Sequence, residues 1–146
     1  MAFELTESSD AFVLPVAGWK VGRCCAEVGG LSVELIDTDG ETARLNLSSF
    51  NFRCPEGDEQ VIEAGDYRAA NPLFERLGQP VGEVLMSKEG HLRITFPDGA
   101  RLLAPRMEGV EAWEVRGPGD IFVVAPTQDG EEPLVWGGII SEPPSS

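Results

Sequence analysis

The stretch Leu31–Leu47 reads LSVELIDTDGETARLNL, and apolar residues alternate with polar ones on both sides of Asp39-Gly40. Alternation with a period of two is typical of a β-strand that packs one face and leaves the other in water. An Asp-Gly pair between two such runs favours a tight hairpin, because the turn needs a positive φ that glycine adopts without strain. This stretch therefore predicts two antiparallel strands joined by a turn.

The same pattern occurs a second time further along the chain. Gly18, Val21, Gly22 and Gly30 recur sixty residues later as Gly78, Val81, Gly82 and Gly90. The alternating run Leu92–Phe96 then meets an Asp98-Gly99 turn, as Leu31–Leu35 meets Asp39-Gly40. One such meander cannot bury its apolar face alone, but two can pack against each other.

A run with aromatic residues closes each copy. It is Phe50–Phe52 in the first copy and Glu111–Val115 in the second, so Trp113 falls roughly where the first copy has Phe52. We therefore predict a mainly β fold in which two similar antiparallel meanders pack as a sandwich or a partly open barrel. The predicted single domain spans residues 1–140, with the duplication at about 18–54 and 78–116.

One short helix is predicted between the copies, over residues 71–78. Asn71 suits its cap, Pro72 its first position and Gly78 its end. Two further strands are predicted at 120–125 and 133–137. The Pro- and Ser-rich segment 141–146 is predicted to be a disordered tail.

The net charge is the one extreme feature of the composition. Eleven Lys and Arg residues stand against twenty-five Asp and Glu residues, which gives −14. Phosphate backbones and anionic membrane surfaces attract basic faces, so we expect neither nucleic acid nor a membrane as partner. A basic protein would be steered towards this chain, although the charge can also act only to keep the protein soluble.

The residue types that carry catalysis are scarce. His91 is the only histidine, and Cys24, Cys25 and Cys54 have neither zinc nor dithiol spacing. Cys24 matches the apolar Val84 of the second copy, which indicates a structural role. The sequence therefore predicts no catalytic residue, no metal site and no cofactor. With no targeting segment visible and an odd number of cysteines, we expect a cytoplasmic protein with reduced thiols.

Two acidic stretches differ between the copies, and we take them as the candidate partner-binding residues. The first is the loop with Glu56, Asp58 and Glu59, which resembles no calcium loop. The second is the segment with Glu111, Trp113 and Glu114. The competing interpretation of Trp113 is a core or half-buried residue with solvated glutamates on either side.

Four short motifs resemble those of a small bacterial β-rich family of unknown function. They are Gly-x-x-Val-Gly, Phe96-Pro-Asp-Gly99, Glu111-Ala-Trp-Glu-Val115 and Val135-Trp-Gly-Gly138. Similar Glu-Ala-Trp segments occur in immunity-type proteins that neutralise toxins. The resemblance implies a binding role and supplies no catalytic residues.

The leading hypothesis is a non-enzymatic protein-binding module, such as an immunity protein that neutralises a basic toxin. One alternative is a small-ligand-binding β-barrel whose pocket is lined by Trp19, Trp113 and Trp136. Another is a structural subunit, or a homodimer, that pairs through an edge strand at 120–125. An enzyme ranks last, because it would have to work with carboxylates such as Glu111 and Glu114 alone, since histidine and cysteine offer little. These two glutamates are three positions apart, so on a strand they face opposite ways.

Overall fold

A computed structural model describes residues 3–141, which form fourteen strands and one short helix. The first seven strands are β1 (Leu5–Glu7), β2 (Ala11–Leu14), β3 (Lys20–Glu27), β4 (Gly30–Ile36), β5 (Thr42–Leu47), β6 (Phe50–Arg53) and β7 (Glu59–Ile62). The helix α1 (Asn71–Phe74) follows them. The other strands are β8 (Glu83–Ser87), β9 (Leu92–Thr95), β10 (Arg101–Ala104), β11 (Trp113–Arg116), β12 (Phe122–Val124), β13 (Leu134–Trp136) and β14 (Ile139–Ser141).

The strands form two sheets that pack face to face. The large sheet has the order β14-β1-β2-β8-β9-β10-β6-β7, and the small sheet has the order β13-β12-β11-β5-β4-β3. Neighbouring strands are antiparallel except for β1 and β14, which are parallel. Neither sheet closes into a barrel. The predicted fold class is therefore confirmed, and of its two variants the sandwich is the one observed.

The two repeated units exchange their last strands. Strands β3, β4 and β5 of the first unit lie in the small sheet, but β6 crosses to the large sheet and pairs with β10. The second unit does the reverse: β8, β9 and β10 lie in the large sheet, and β11 crosses to pair with β5. Each unit thus supplies the fourth strand of the sheet that the other unit begins.

The register of the exchanged strands corrects the predicted match of Trp113 with Phe52. Phe52 lies opposite Leu102, whereas Leu45, which holds the place of Leu102 in the first unit, lies opposite Val115. Phe52 therefore corresponds to Val115, and Trp113 corresponds to Phe50. The sequence comparison was wrong by two residues, because the segments before β6 and β11 differ in length.

The space between the sheets is filled by the apolar residues of the alternating runs. Leu35, Leu45, Val84, Leu92 and Leu102 are fully buried there. Burial of one such side chain stabilises the fold by about 1.5–3 kcal/mol, so this layer is the main source of stability. The periodicity that predicts the strands also decides which side chains form the core.

The helix is shorter than predicted. It covers Asn71–Phe74, and its cap is Ala70 rather than Asn71, without a side-chain hydrogen bond to the backbone. The side-chain amide of Asn71 instead donates a hydrogen bond from Nδ2 to Oε1 of Glu75 at 2.9 Å. Turns continue the segment as far as Gly78, whose φ is +82°.

The structure contains several strands that were not predicted, and the strand predicted to be an edge, at 120–125, lies inside its sheet. β12, from the 120–125 run, pairs with β11 on one side and β13 on the other, so β13 is the outer strand. β1, β2, β7 and β14 were not predicted. Ser141 ends β14, and the rest of the predicted tail, 142–146, lies outside the described residues. No helix within 3–141 has the length and apolar character needed to cross a membrane.

Candidate functional site

The first candidate stretch forms the turn between β6 and β7 together with the first residue of β7, and we call it the acidic hairpin (Glu56, Asp58 and Glu59). The N–H of Cys54 donates to the carbonyl of Asp58 at 2.8 Å, and the N–H of Gly57 donates to the carbonyl of Cys54 at 2.9 Å. Gly57 has a φ of +101°, which explains why glycine stands at this turn. All three acidic side chains of the hairpin are exposed, so their charges face solvent.

The residues of the second candidate stretch lie on different sides of the small sheet. Trp113 is only 1% exposed, and its indole N–H donates to the carbonyl of Gly90 at 2.9 Å. Glu114 lies on the outer face, where its Oε1 accepts a hydrogen bond from Nδ2 of Asn46 at 2.6 Å. Glu111 is exposed before β11. Trp113 is therefore a core residue and offers no surface to a partner, as the competing interpretation expected.

Glu111 and Glu114 line a small surface cleft of about 170 Å³. Its other walls are the β3–β4 turn and the end of β5, including Glu27, Val28 and Ser48. The acidic hairpin lies at the far end of β6 from this cleft. Since β6 spans Phe50–Arg53 at about 3.3 Å per residue, the two candidate stretches do not converge on one site.

A row of stacked side chains on the outer face of the small sheet was not predicted from the sequence. The guanidinium of Arg116 lies 4.1 Å from the ring centre of Phe122. The Phe122 and Trp136 ring centres are 5.4 Å apart with the planes at 28°. Trp136 is 51% exposed, and Leu134, on the same face of β13, is 59% exposed. Apolar residues at both outward positions of one short strand are the signal that could have revealed this row.

The three tryptophans do not meet, which removes the pocket predicted for them. Trp113 is buried, and Trp136 lies on the outer face of the small sheet. Trp19 contacts Phe3, with the ring centres 5.7 Å apart and the planes tilted at 55°. The prediction of a single cavity lined by all three tryptophans is therefore wrong.

The acidic charge is distributed unevenly over the fold. The strands carry seven basic and six acidic residues, whereas the other described segments carry four basic and eighteen acidic residues. The strands thus have a net charge of +1, and the connecting segments have −14. The turns and loops at the rim of the sandwich hold the whole excess, while the sheet faces are close to neutral.

An open groove of about 930 Å³ lies beside His91. Nδ1 of His91 accepts a hydrogen bond from the N–H of Arg106 at 3.0 Å, so this nitrogen carries no proton. Nζ of Lys88 lies 2.6 Å from Oε2 of Glu7, and this hydrogen bond raises the pKa of Lys88. Arg106 contacts Glu108 at 2.8 Å. Lys88 and Arg106, two of the basic residues that line this groove, are thus each paired with a carboxylate.

The cysteines are free thiols. Burial, with a smaller contribution from Cys25, raises the pKa of Cys24 to about 11. Cys24 is therefore protonated at neutral pH and is a poor nucleophile. Sγ of Cys25 accepts a hydrogen bond from Nε of Arg23 at 3.1 Å. Within 3–141, no group of three or more His, Cys, Asp or Glu residues is placed to hold a metal ion.

Comparison with known proteins finds one family. Residues 17–131 match the family of unknown function DUF6188, which covers both repeated units and most of the chain. No curated protein and no solved structure matches this chain.

Proposed function

Since the chain belongs to DUF6188, a family of unknown function, we propose that it is a non-enzymatic module that binds a basic protein through its acidic rim. The observation that carries this proposal is the separation of charge between the connecting segments and the strands. A uniform charge would favour solubility alone. A charge concentrated in exposed turns offers a complementary potential to a basic surface and speeds the encounter.

The acidic hairpin is the part of the rim that we propose makes contact. Within 3–141, Glu56, Asp58 and Glu59 take part in no ion pair, whereas Glu7 and Glu108 pair with Lys88 and Arg106. Carboxylates that have no internal partner are available to pair with an external one. Glu111, exposed beside the cleft, is a second proposed contact.

An immunity protein that neutralises a basic toxin in the cytoplasm is the specific form of this proposal. The net charge of −14 supports a basic partner, and the resemblance of the segment Glu111–Val115 to immunity-type proteins supports this class. Enzymes that act on nucleic acids often present basic clefts, and an acidic rim would complement such a cleft.

The test begins with capture of partners from the native host, identified by mass spectrometry, at low and at high salt. The partner is then titrated against the triple variant Glu56→Gln, Asp58→Asn, Glu59→Gln. We expect about tenfold weaker binding at low salt, since three exposed pairs contribute about 0.5 kcal/mol each. The matched control is Asp129→Asn, Glu131→Gln, Glu132→Gln, which removes the same charge from another exposed segment.

A control that binds as well as the wild type would assign the loss to the hairpin. Equal weakening by both triple variants would mean that only the overall charge matters. A partner that binds the hairpin variant normally, with no effect of salt, would overturn the proposal.

A further inference from the structure

Strand β13 is an open edge of the small sheet. It pairs with β12 through Phe122–Trp136, Val123–Val135 and Val124–Leu134, and within 3–141 no strand pairs with its other side. An open edge presents backbone N–H and C=O groups that can pair with another chain. Leu134 and Trp136 stand beside this edge, largely in contact with solvent.

The edges on the opposite side of the sandwich carry devices that discourage pairing. β3 bears Lys20, Arg23 and Glu27 and has an irregular register between Val21 and Arg23. β7 begins with Glu59. Charged side chains and bulges are the usual means of keeping edge strands apart. β13 has neither, because Leu134, Val135 and Trp136 are all uncharged and its register is regular. Its protection is limited to its short length and to Pro133, which directly precedes it.

We propose that β13 pairs in antiparallel fashion with β13 of a second copy of this chain, about a two-fold axis at Val135. In this register, Leu134 of each copy lies opposite Trp136 of the other. Both side chains stand on the outer face, so each exposed aromatic ring meets an exposed aliphatic side chain, which is a favourable cross-strand pair. The strand is thus self-complementary, as a two-fold contact between two copies of one chain requires.

Charge and size determine how this pairing depends on conditions. Each copy carries −14, so two copies repel one another, and added salt screens that repulsion. The contact is based on a three-residue strand, so we expect a weak dimer that forms as the protein concentration rises. Salt strengthens this association, whereas it weakens the proposed binding of a basic protein. The two proposals are independent, and failure of one can be told from failure of the other.

Sedimentation equilibrium of the full chain over a range of concentrations and salt tests the proposal. The wild type is expected to show a monomer–dimer equilibrium that shifts towards the dimer with salt. Leu134→Lys places a charge on the open edge and should weaken the dimer at least tenfold. Val61→Lys makes the same kind of change on β7, where Val61 is 62% exposed, and should leave the equilibrium unchanged.

Hydrogen exchange read by mass spectrometry locates the contact independently of the variants. Amides in the segment 134–136 should become more protected as concentration rises, and those of β7 should not. A wild-type chain that stays monomeric at every concentration and salt level would overturn the proposal. So would a Leu134→Lys variant that is folded, by circular dichroism, and dimerises as the wild type does.

Discussion

Arg76 connects the two repeated units at the level of single residues. Its guanidinium is mostly buried and lies 4.9 Å from the ring centre of Phe96 and 5.5 Å from that of Phe52. Its Nη1 donates to Oδ2 of Asp98 at 2.5 Å and to Oε1 of Gln79 at 3.1 Å. Phe52 belongs to the first unit, and Phe96 and Asp98 belong to the second. A charge so placed needs its carboxylate partner to remain favourable.

This contact predicts a dependence of stability on pH. The hydrogen bond from Arg76, helped by the N–H of Ala100, lowers the pKa of Asp98 below its ordinary value of 3.8. A lowered pKa in the folded state means that the stabilisation is complete above pH 3.8 and is lost as the pH falls through the folded value. Asp98→Asn should therefore reduce the free energy of unfolding at pH 7, by less than about 1 kcal/mol because Asp98 is half exposed.

Urea unfolding of the wild type and Asp98→Asn at several pH values measures this effect. The difference between the two proteins should shrink as the pH falls below 3.8. Asp129→Asn is the control, because the side chain of Asp129 is 96% exposed and its contact to Arg106 is 3.8 Å long. A difference that stays constant down to the lowest pH would exclude the ion pair as its source.

Trp113 gives a second prediction at the residue scale. Trp113→Phe removes the indole N–H that donates to the carbonyl of Gly90 and leaves space in the core. We expect a loss of about 2 kcal/mol in the free energy of unfolding, measured by urea denaturation. Trp136→Phe, the same change at an exposed site, should cost little at a protein concentration where the chain is monomeric. Equal losses for both variants would contradict the core assignment.

At the scale of elements, the β4–β5 hairpin could be predicted because its signals are local. Alternation defines both strands, and Gly40 has the positive φ of +89° that the turn requires. Oδ1 of Asp37 accepts hydrogen bonds from the N–H groups of Asp39 and Glu41. A side chain of the hairpin thus satisfies two backbone donors of its own turn. Such elements depend on neighbours a few residues away, and the sequence displays them directly.

Two of the missed strands, β1 and β14, pair with each other across a long stretch of sequence instead. β1 lies between β2 and β14, and β14 is more than a hundred residues from β1 along the chain. Three-residue strands such as these have too few positions to show a period, so only the completed sheet identifies them. The exposed ring of Trp136 was missed for a different reason, because its strand was predicted but the position of that strand in the sheet was not. Its exposure follows from β13 being an edge, which the topology decides.

At the scale of the whole molecule, the exchange of β6 and β11 makes each half depend on the other. A fragment of residues 1–77 would lack β11, which pairs with β5, and β10, which pairs with β6. A fragment of residues 78–146 would lack β5 and β6, the partners of its own β11 and β10. We expect neither fragment to unfold cooperatively in urea when followed by circular dichroism. The two mixed together should recover a cooperative transition, and the intact chain should show one transition only. A fragment that folds alone would contradict this dependence.

The exchange of β6 and β11 also suggests how the duplicated chain could have arisen. Two copies of a four-strand unit that each lend a strand to the other form a domain-swapped dimer, here with both subunits on one polypeptide joined by residues 54–77. A tether converts such an encounter from bimolecular to intramolecular, so assembly no longer depends on protein concentration. Tandem fusion of the two subunits of such a dimer would produce both the sixty-residue offset and the crossed strands. The two units still differ, because only the first is followed by the acidic hairpin.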